Sequence, residues 1–405
     1  MKPWLAKTLL GSAIALVLLA GLWMVLDARW SGMVERLRAQ PRGSAEELLP
    51  PIDPAQDAGP IYGEACQRWI EWYEPEKVPL VNRALWMWRG GRIFRLEEWT
   101  IEDESALAWL DDPDVTGVRV LLQTAGQKQN CRLWNPRYRG VEPVLQFWLL
   151  ELGRSVLMPD ALRAARRADT ARAWDALGSA LALAVHARED PSSETLFLSR
   201  TWAQPALRAV PSLLVHIPID ATRARRLLAL LDRIQPDRDA LRALDGDRVL
   251  CAEPIWDDLV AGRFPTGVSL PSDLADSLRY RILRTWRLLD ECRYFEIQDE
   301  LRERLASDPW RAPPQPEVSD MYPFTRELLP DHIWRFCGPW MLEERRARDL
   351  AEIALRLAIA RAEHGAYPDS LAELGDTPRE PLTGVAYTYA READGCTLGD
   401  WRLAR

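Results

Sequence analysis

The chain has 405 residues, with 52 basic and 60 acidic side chains, a formal net charge of −8 and an apolar content of 47%. This apolar content is enough to build buried cores, which excludes the disordered and collagen-like classes, and the length corresponds to two or three units of roughly 150 residues. Because the charge balance is acidic and no long run of Lys or Arg occurs, nucleic-acid binding is not expected.

The N-terminal segment is the strongest signal in the sequence. Residues 9–26 read LLGSAIALVLLAGLWMVL and contain no charged side chain. As a helix they would extend about 27 Å, close to the roughly 30 Å apolar thickness of a bilayer. We therefore predict a transmembrane anchor within residues 1–30. A cleaved secretory signal, with a shorter apolar region and a small-x-small cleavage site, and a buried soluble helix are the alternatives.

The charges that flank this segment indicate its orientation. Lys2 and Lys7 precede it, whereas little positive charge follows directly after Asp27. Loops rich in Lys and Arg stay in the cytoplasm, so we expect a cytoplasmic N-terminus and a periplasmic or extracellular C-terminal body in the cell envelope. The lipid bilayer is then a partner of the chain through residues 9–26.

Two regions follow the predicted anchor. Residues 31–60 are rich in Pro and Gly, which predicts an extended stalk. Residues 61–140 form a mixed, Trp-rich segment whose tryptophans either fill a core or line a groove for carbohydrate or peptide. Within this segment we predict helices at 62–73 and 81–88, a short apolar helix at 106–110 and a β-like run at 118–122.

Residues 141–339 are expected to be a helical domain, a bundle or an irregular solenoid, so the fold class is mainly α. Apolar residues recur at helical spacing after Asp169 and again after Asp220, which are candidate N-caps. A third helix is predicted from Ser272 toward Leu305, and the Pro-rich stretch 309–330 should be a surface loop.

Six cysteines are distributed along the chain, at 66, 131, 251, 292, 337 and 396. They fit an oxidising compartment, and we expect one or two disulfides together with buried thiols; the pairing is left open. The sequence Phe336-Cys337-Gly338-Pro339-Trp340 is similar to the thioredoxin Cys-Gly-Pro-Cys turn but lacks its second cysteine. Cys337 is therefore interpreted as half of a disulfide or a buried thiol, and an activated thiolate near His332 is the alternative.

The C-terminal segment 340–405 combines a long helix with strands. The helix should run from Trp340 to His364 and end at Gly365, followed by strands at 385–391 and 396–403 joined at Asp394-Gly395. Tyr367-Pro368, Pro381-Leu382-Thr383-Gly384 and the two tyrosines Tyr387 and Tyr389 complete the pattern.

These features resemble the C-terminal part of uncharacterised bacterial single-pass membrane-anchored proteins and, more distantly, the globular part of type II secretion pseudopilins. The resemblance implies a small α+β module with a β-hairpin and an exported setting. It does not imply fibre assembly, because no acidic residue precedes Asp27 and some 300 residues separate the apolar segment from the matching helix.

The sequence contains few patterns that are typical of a catalytic site. The four histidines are His186, His216, His332 and His364, and none forms a zinc-protease pattern. No nucleophile elbow, phosphate loop or dinucleotide fingerprint occurs. The acidic residues at 102–104, 111, 112 and 114 could hold calcium, but their spacing matches no calcium loop and a solvated charged face is expected instead. We therefore assign no catalytic, cofactor-binding or metal-ligating residue and expect no cofactor.

The sequence leaves three functional hypotheses. The first is an anchored scaffold that binds another protein or an envelope component, which makes a protein partner in the envelope the expectation. The second is a carboxylate-dependent envelope hydrolase, for which paired acids in a cleft would be required. Its first candidate residues are Glu71, Glu74, Glu97 and Asp103. The third is an accessory protein of a secretion system.

Overall fold

The fold is mainly helical, as predicted, and the residues that the structure describes also form two small antiparallel sheets. The computed structural model describes residues 3–40, 42–73, 96, 99–135, 140–141, 145, 148–149, 151–260, 284–311, 338–393, 395–399 and 401–404. The predicted helix at 81–88, Glu74, Glu97, most of the Pro-rich stretch 309–330, His332 and Cys337 lie outside these residues.

The helices follow one another in chain order. They are α1 Pro3–Arg38, α2 Ala45–Leu48, α3 Gly59–Trp72, α4 Ile101–Ala106, α5 Pro113–Ala125, α6 Met158–Arg166, α7 Thr170–Ala187, α8 Ser193–His216, α9 Ala221–Leu231, α10 Pro236–Gly246, α11 Glu253–Val260, α12 Arg284–Ser307 and α13 Pro339–His364. Single π-helical segments, Leu152–Leu157 and Asp247–Ala252, lead directly into α6 and α11. Short 3₁₀ turns occupy Pro54–Gln56, Ala108–Asp111 and Leu371–Leu374.

The predicted stalk differs from the structure. Residues 31–38 continue α1, because the prolines begin only at Pro41 and apolar residues at helical spacing face the body. Beyond them, Arg242 and Arg132 donate to the carbonyls of Leu48 and Pro50 at 2.7 Å each. Residues 44–58 are therefore held against the helical body and do not form a free tether.

The apolar segment lies in the first two-thirds of α1. Within the part of the chain that the structure describes, no helix combines the length and apolar content needed to cross a bilayer. The side chains of residues 9–16 and 19, which belong to the predicted span, are outside that part.

The Trp-rich segment is helical where it is described. The predicted helix at 62–73 is confirmed as α3, but the β-like run 118–122 was wrong because it lies within α5. Val115, Val118, Leu122 and Ala125 lie on one buried face, so helical periodicity outweighs the β-propensity of the valines. The predicted helix at 106–110 is instead the end of α4 followed by a 3₁₀ turn.

Tryptophans fill the core beneath α3. Trp69 and Trp72 stack with ring centroids 4.8 Å apart, and Trp109 stacks on Trp72 at 5.5 Å. All three are at most 8% exposed. Burial of such large rings is a major stabilising contribution, and it favours the core interpretation over a binding groove at these positions.

Helices α6 to α9 and α13 form the central core. Asp169 and Asp220 cap α7 and α9, each accepting a backbone N–H three residues along, as predicted. Helix α8 packs against α7 and α13, and α9 also contacts α13. The third predicted helix is observed as α12, which begins at Arg284; residues 272–283 are outside the described part.

The C-terminal module contains α13 and a three-stranded sheet. Helix α13 ends at Gly365, which adopts the left-handed conformation at φ 76°. Strands β3 Tyr389–Glu392, β4 Gly395–Leu398 and β5 Trp401–Ala404 are antiparallel, with Tyr389 opposite Leu398 and Leu398 opposite Trp401. The second predicted strand, 396–403, is therefore two strands, because Gly399 turns the chain at φ 56°. The short strands β1 Trp134–Asn135 and β2 Gly140–Val141 form a separate pair.

The cysteines differ from the expected disulfides. In the described part of the chain, no disulfide is formed by Cys66, Cys131, Cys251, Cys292 or Cys396. Burial raises the pKa of Cys66 and of Cys292 to about 12, so these thiols stay protonated and unreactive.

Candidate functional site

The first feature of functional interest is the junction between α1 and the body. Trp30, Met33, Val34 and Leu37 lie on one face of α1 and pack against Leu288 and Cys292 of α12. This spacing of three and four residues is that of one helix face. The last two turns of α1 are thus part of a hydrophobic cluster and are fixed to α12.

Charged groups stabilise the same junction. Arg38 forms ion pairs with the exposed Asp257 at 2.7 Å and with Glu291 at 2.5 Å, and the Glu291 side chain is only 1% exposed. Arg248 donates to the carbonyl of Leu37, one of the α1 carbonyls that lack a partner within the helix. Cations at the C-terminal end of α1 also interact favourably with its helix dipole.

The preceding part of α1 carries apolar side chains that the body does not cover. Val17, Leu18, Leu22, Met24 and Val25 are 57% to 71% exposed, and Trp23 is 42% exposed. A continuous exposed apolar surface of this kind is rare on soluble monomers and marks a site of contact with a protein or a membrane.

The second feature is a cavity of about 380 Å³ between α8, the N-terminal turn of α13 and the π-helical segment before α6. Its walls are formed by Arg154, Phe197, Arg200, Thr201, Gln204, Pro205, Trp340 and Glu343. π-Helical segments are frequent at functional sites, and here the segment places Arg154 in the cavity wall.

Gly153 allows this segment to approach α8 closely. A Cβ atom at that position would lie 2.3 Å from Cδ1 of the buried Trp202. The absence of a side chain at Gly153 therefore sets the distance between the π-helical segment and α8, the two walls of the cavity.

Arg200 is the central polar group of the cavity. It is 8% exposed, and the ring of Trp340 lies over its guanidinium with 4.3 Å between Cζ and the ring centroid. The Nη2 atom is 3.9 Å from the Glu343 carboxylate, beyond hydrogen-bonding distance. Burial lowers the pKa of Arg200 to about 10, more than the nearby Glu344 and Glu343 raise it.

A buried ion pair involves Glu344, the residue next to Glu343 on α13. Arg188, almost fully buried, binds both Glu344 of α13 and Asp239 of α10. Because Glu344 is committed to Arg188, it compensates the charge of Arg200 only at longer range. The two neighbouring acids of α13 therefore make different contacts. Glu344 connects three helices through Arg188, and Glu343 lies at the cavity.

A second cavity of about 150 Å³ lies between α5, α7 and α9. Its lining includes Arg223, which binds Asp220 at 2.7 Å and Asp175 at 3.5 Å, and also Arg226. The charge of Arg223 is therefore neutralised by Asp220 and Asp175.

The candidate hydrolase acids are not brought together where they are described. Asp103 is buried, but it serves the N-terminus of α4, where it accepts hydrogen bonds from the backbone and hydroxyl of Thr100 at 2.9 Å each. Glu71 is exposed on α3 and accepts from Gln67 at 2.9 Å. Asp103 therefore acts as a capping residue, and neither contact forms a pair of carboxylates in a cleft.

The acidic cluster is held by arginines. Asp111 binds Arg163 at 2.8 Å and Arg167 at 3.3 Å, and Glu104 binds Arg167 at 2.6 Å. These arginines lower the pKa of both acids despite the opposing effect of burial. Among the residues described, no group of three or more His, Cys, Asp or Glu side chains is arranged to hold a metal ion.

His186 is a core residue. Its Nε2 lies 3.1 Å from the carbonyl of Lys128 and its Nδ1 lies 3.0 Å from the Tyr62 hydroxyl. Burial lowers the pKa of His186 to about 4, so the imidazole is neutral, with Nε2 donating and Nδ1 accepting. His216 and His364 lie at the C-terminal ends of α8 and α13, where a positive charge is favourable.

Sequence reasoning did not find the Arg200 cavity. Arginine is abundant along the chain, and residues 154, 200 and 340 are far apart in sequence. The only signal that could have marked the position was the Gly338-Pro339-Trp340 turn, which was considered for its cysteine and not for the tryptophan that covers Arg200.

The comparisons with known proteins give no relative. No protein family, no curated protein and no solved structure matches this chain.

Proposed function

We propose that the chain is a single-pass membrane-anchored protein whose helical body is exported and acts as a binding scaffold in the cell envelope. One observation carries the proposal, namely that the exposed apolar surface at residues 17–25 and the docked turns at residues 30–38 belong to the same uninterrupted helix. The lipid bilayer is the proposed contact of the exposed part.

The geometry supports a body held close to the membrane. Helix α1 has 36 residues and is about 54 Å long, of which residues 9–26 account for about 27 Å. The remaining turns from Asp27 to Arg38 span about 18 Å, and their last part is bound to α12. A body fixed in this way would stay within about 20 Å of the bilayer surface and would have a defined orientation.

Membrane extraction tests the anchor. Full-length protein should remain in the membrane pellet after alkaline carbonate treatment and enter solution only with detergent. Replacing Leu18 and Leu22 by Arg should release the protein or prevent insertion, because each Arg at mid-membrane depth costs about 2.5–3.5 kcal/mol. Glu35→Arg, an exposed position nearer the body, is the matched control and should leave the protein in the pellet. Recovery of wild type in the soluble fraction without detergent would refute the anchor.

Orientation is tested separately. With a cytoplasmic N-terminus, a protease added outside intact cells or spheroplasts should digest the body, and a C-terminal reporter that works only outside the cytoplasm should be active. Protection of the body in intact spheroplasts, with digestion only after lysis, would reverse the proposed orientation.

The scaffold part of the proposal concerns a protein partner. It is supported by a body fixed at the membrane, where a local partner is presented efficiently. Crosslinking in intact membranes should recover a specific partner with the wild-type chain. Recovery of the same proteins with an unrelated anchored domain would count against it.

The C-terminal module remains part of the proposal. A long helix followed by a short 3₁₀ turn and an antiparallel sheet supports an arrangement like that of a pseudopilin globular part. The proposal is limited to this α+β arrangement and includes no fibre assembly.

A further inference from the structure

We propose that the cavity between Arg154, Arg200 and Trp340 binds a small anionic compound, a carboxylate or a phosphate that also carries a flat apolar group. The proposal goes beyond membrane anchoring and does not depend on it. It rests on an incompletely compensated buried cation, on the composition of the cavity wall and on the acid at its rim.

The guanidinium of Arg200 is not fully hydrogen-bonded within the described part of the chain. Its Nε and Nη1 atoms are buried and have no hydrogen-bond partner among the described residues. Buried polar groups are nearly always hydrogen-bonded, and a buried charge is costly unless it is paired. Glu343 is too far from Nη2 for a hydrogen bond, and Glu344 is bound to Arg188. An anion in the cavity would supply the missing compensation.

Arg154 adds a second positive charge to the same wall. In the described part of the chain this side chain forms no ion pair, although it lines the cavity together with Arg200. Two arginines that face one space favour carboxylate and phosphate, which accept several charge-assisted hydrogen bonds at once.

The rest of the wall defines the second part of the ligand. Phe197, Pro205 and Trp340 give the cavity an apolar portion, and Thr201 and Gln204 add polar groups. A volume of about 380 Å³ falls within the range of small-molecule sites, which extends over roughly 300–1,000 Å³. The cavity therefore fits a small compound with an acidic group and a ring.

Glu343 provides a test of the sign of the ligand charge. Its side chain is 52% exposed at the rim, and Gln204 donates to it at 3.1 Å. An incoming anion would be repelled by this carboxylate, whereas a cation would be attracted. Glu343→Gln removes the charge and keeps the shape, so it should tighten anion binding about two- to fivefold, the range of an exposed charge interaction.

The experiment is calorimetric titration of the full-length protein in detergent micelles with benzoate, phenyl phosphate and benzamide. At least one of the two anions should bind saturably, and the uncharged benzamide should not bind at the same concentrations. Tighter binding of benzoate would assign the site to carboxylates, and tighter binding of phenyl phosphate would assign it to phosphates.

Variants locate the binding. Arg200→Met and Arg154→Met keep an unbranched apolar stem but remove the guanidinium, and they should each weaken anion binding by at least about tenfold. Arg208→Met is the matched control, since Arg208 is an exposed arginine two turns along α8, and it should change affinity less than twofold. Thermal melting of each variant verifies the fold, and Arg200→Met should not melt lower because the removed charge was poorly compensated.

Three results would overturn the proposal. The first is no saturable binding of either anion up to about 10 mM, where specific affinity is already very weak. The second is wild-type affinity in a folded Arg200→Met protein. The third is weaker anion binding in Glu343→Gln, because removing a carboxylate that repels the ligand cannot weaken the binding of an anion held at the arginines.

Discussion

The contribution of Asp247 to the free energy of unfolding of the body falls as the pH rises. The Oδ1 atom of Asp247 accepts the backbone N–H of Ser193 at 3.0 Å, at the first turn of α8. Its Oδ2 is buried without a hydrogen-bond partner in the described part of the chain, although other atoms of the residue reach the surface. Burial raises the pKa of this carboxyl to about 7.

The direction of this pH dependence follows from the different proton affinities of the folded and unfolded states. The folded pKa of about 7 lies above the usual value of 3.8, so the folded state holds the proton more tightly than the unfolded chain. Stability is then highest below about pH 4 for this group, and it is lost between about pH 4 and pH 7 as the folded carboxyl ionises. At about 1.4 kcal/mol per pH unit the full shift corresponds to about 4 kcal/mol, and relaxation around the charge reduces this to about 2–4 kcal/mol.

Asp247→Asn keeps the acceptor for Ser193 and removes the titration. Relative to wild type, the free energy of unfolding of this variant should increase by about 2–4 kcal/mol between pH 4.5 and pH 8. Urea unfolding at several pH values, followed by tryptophan fluorescence, measures the difference. Asp376→Asn, at an exposed position, should differ from wild type by a constant amount across this range. A constant difference between Asp247→Asn and wild type, or one that decreases with pH, would show that the pKa of Asp247 is not raised in the folded state.

Three further predictions concern the core and the junction, and thermal or urea unfolding checks each. Gly153→Ala should destabilise the body by about 1–3 kcal/mol, because the new Cβ would meet Trp202; an unchanged melting temperature would contradict the close approach. Trp69→Ala should cost about 3–5 kcal/mol by emptying the stacked tryptophan core, and a loss under 1 kcal/mol would place this ring outside the core. Arg38→Met should cost about 3 kcal/mol at pH 7 and less at pH 5, because the variant lacks the charge that lowers the pKa of the buried Glu291 and this carboxyl then binds a proton more readily; equal losses at both pH values would contradict the ion pair.

Local signals in the sequence predicted many of the elements. Asp169 and Asp220 were predictable as caps because an aspartate directly before an apolar helical run can accept an unpaired backbone N–H of the first turn. Gly365 ends α13 because the left-handed conformation favours glycine. These features depend on residues within a few positions of one another.

The sequence predictions were wrong where a local pattern was compatible with two structures or where tertiary packing determined the conformation. Two valines in α5 favoured a strand, but the burial of a helical face determined the structure. The prolines after Pro41 indicated a stalk, whereas long-range hydrogen bonds from Arg132 and Arg242 hold the segment to the body. Proline reports backbone conformation and does not report such contacts.

The Arg200 cavity could not be predicted for a similar reason. It is formed by α8, α13 and a π-helical segment that are brought together only by the packing of the central core. No periodicity reveals that Trp340 will cover a guanidinium 140 residues away in the chain, or that the partner of Arg200 will be too distant to neutralise it.

In the proposed arrangement, one helix enters the lipid and continues into the body. This arrangement is tested most directly by spin labels placed singly along residues 17–36 of the full-length protein in lipid vesicles, with accessibility to oxygen and to a water-soluble nickel reagent measured at each position. We expect high oxygen and low nickel accessibility at residues 17–25, a crossover near Asp27, and low accessibility to both reagents at Val34. High nickel accessibility throughout residues 17–25 would contradict it.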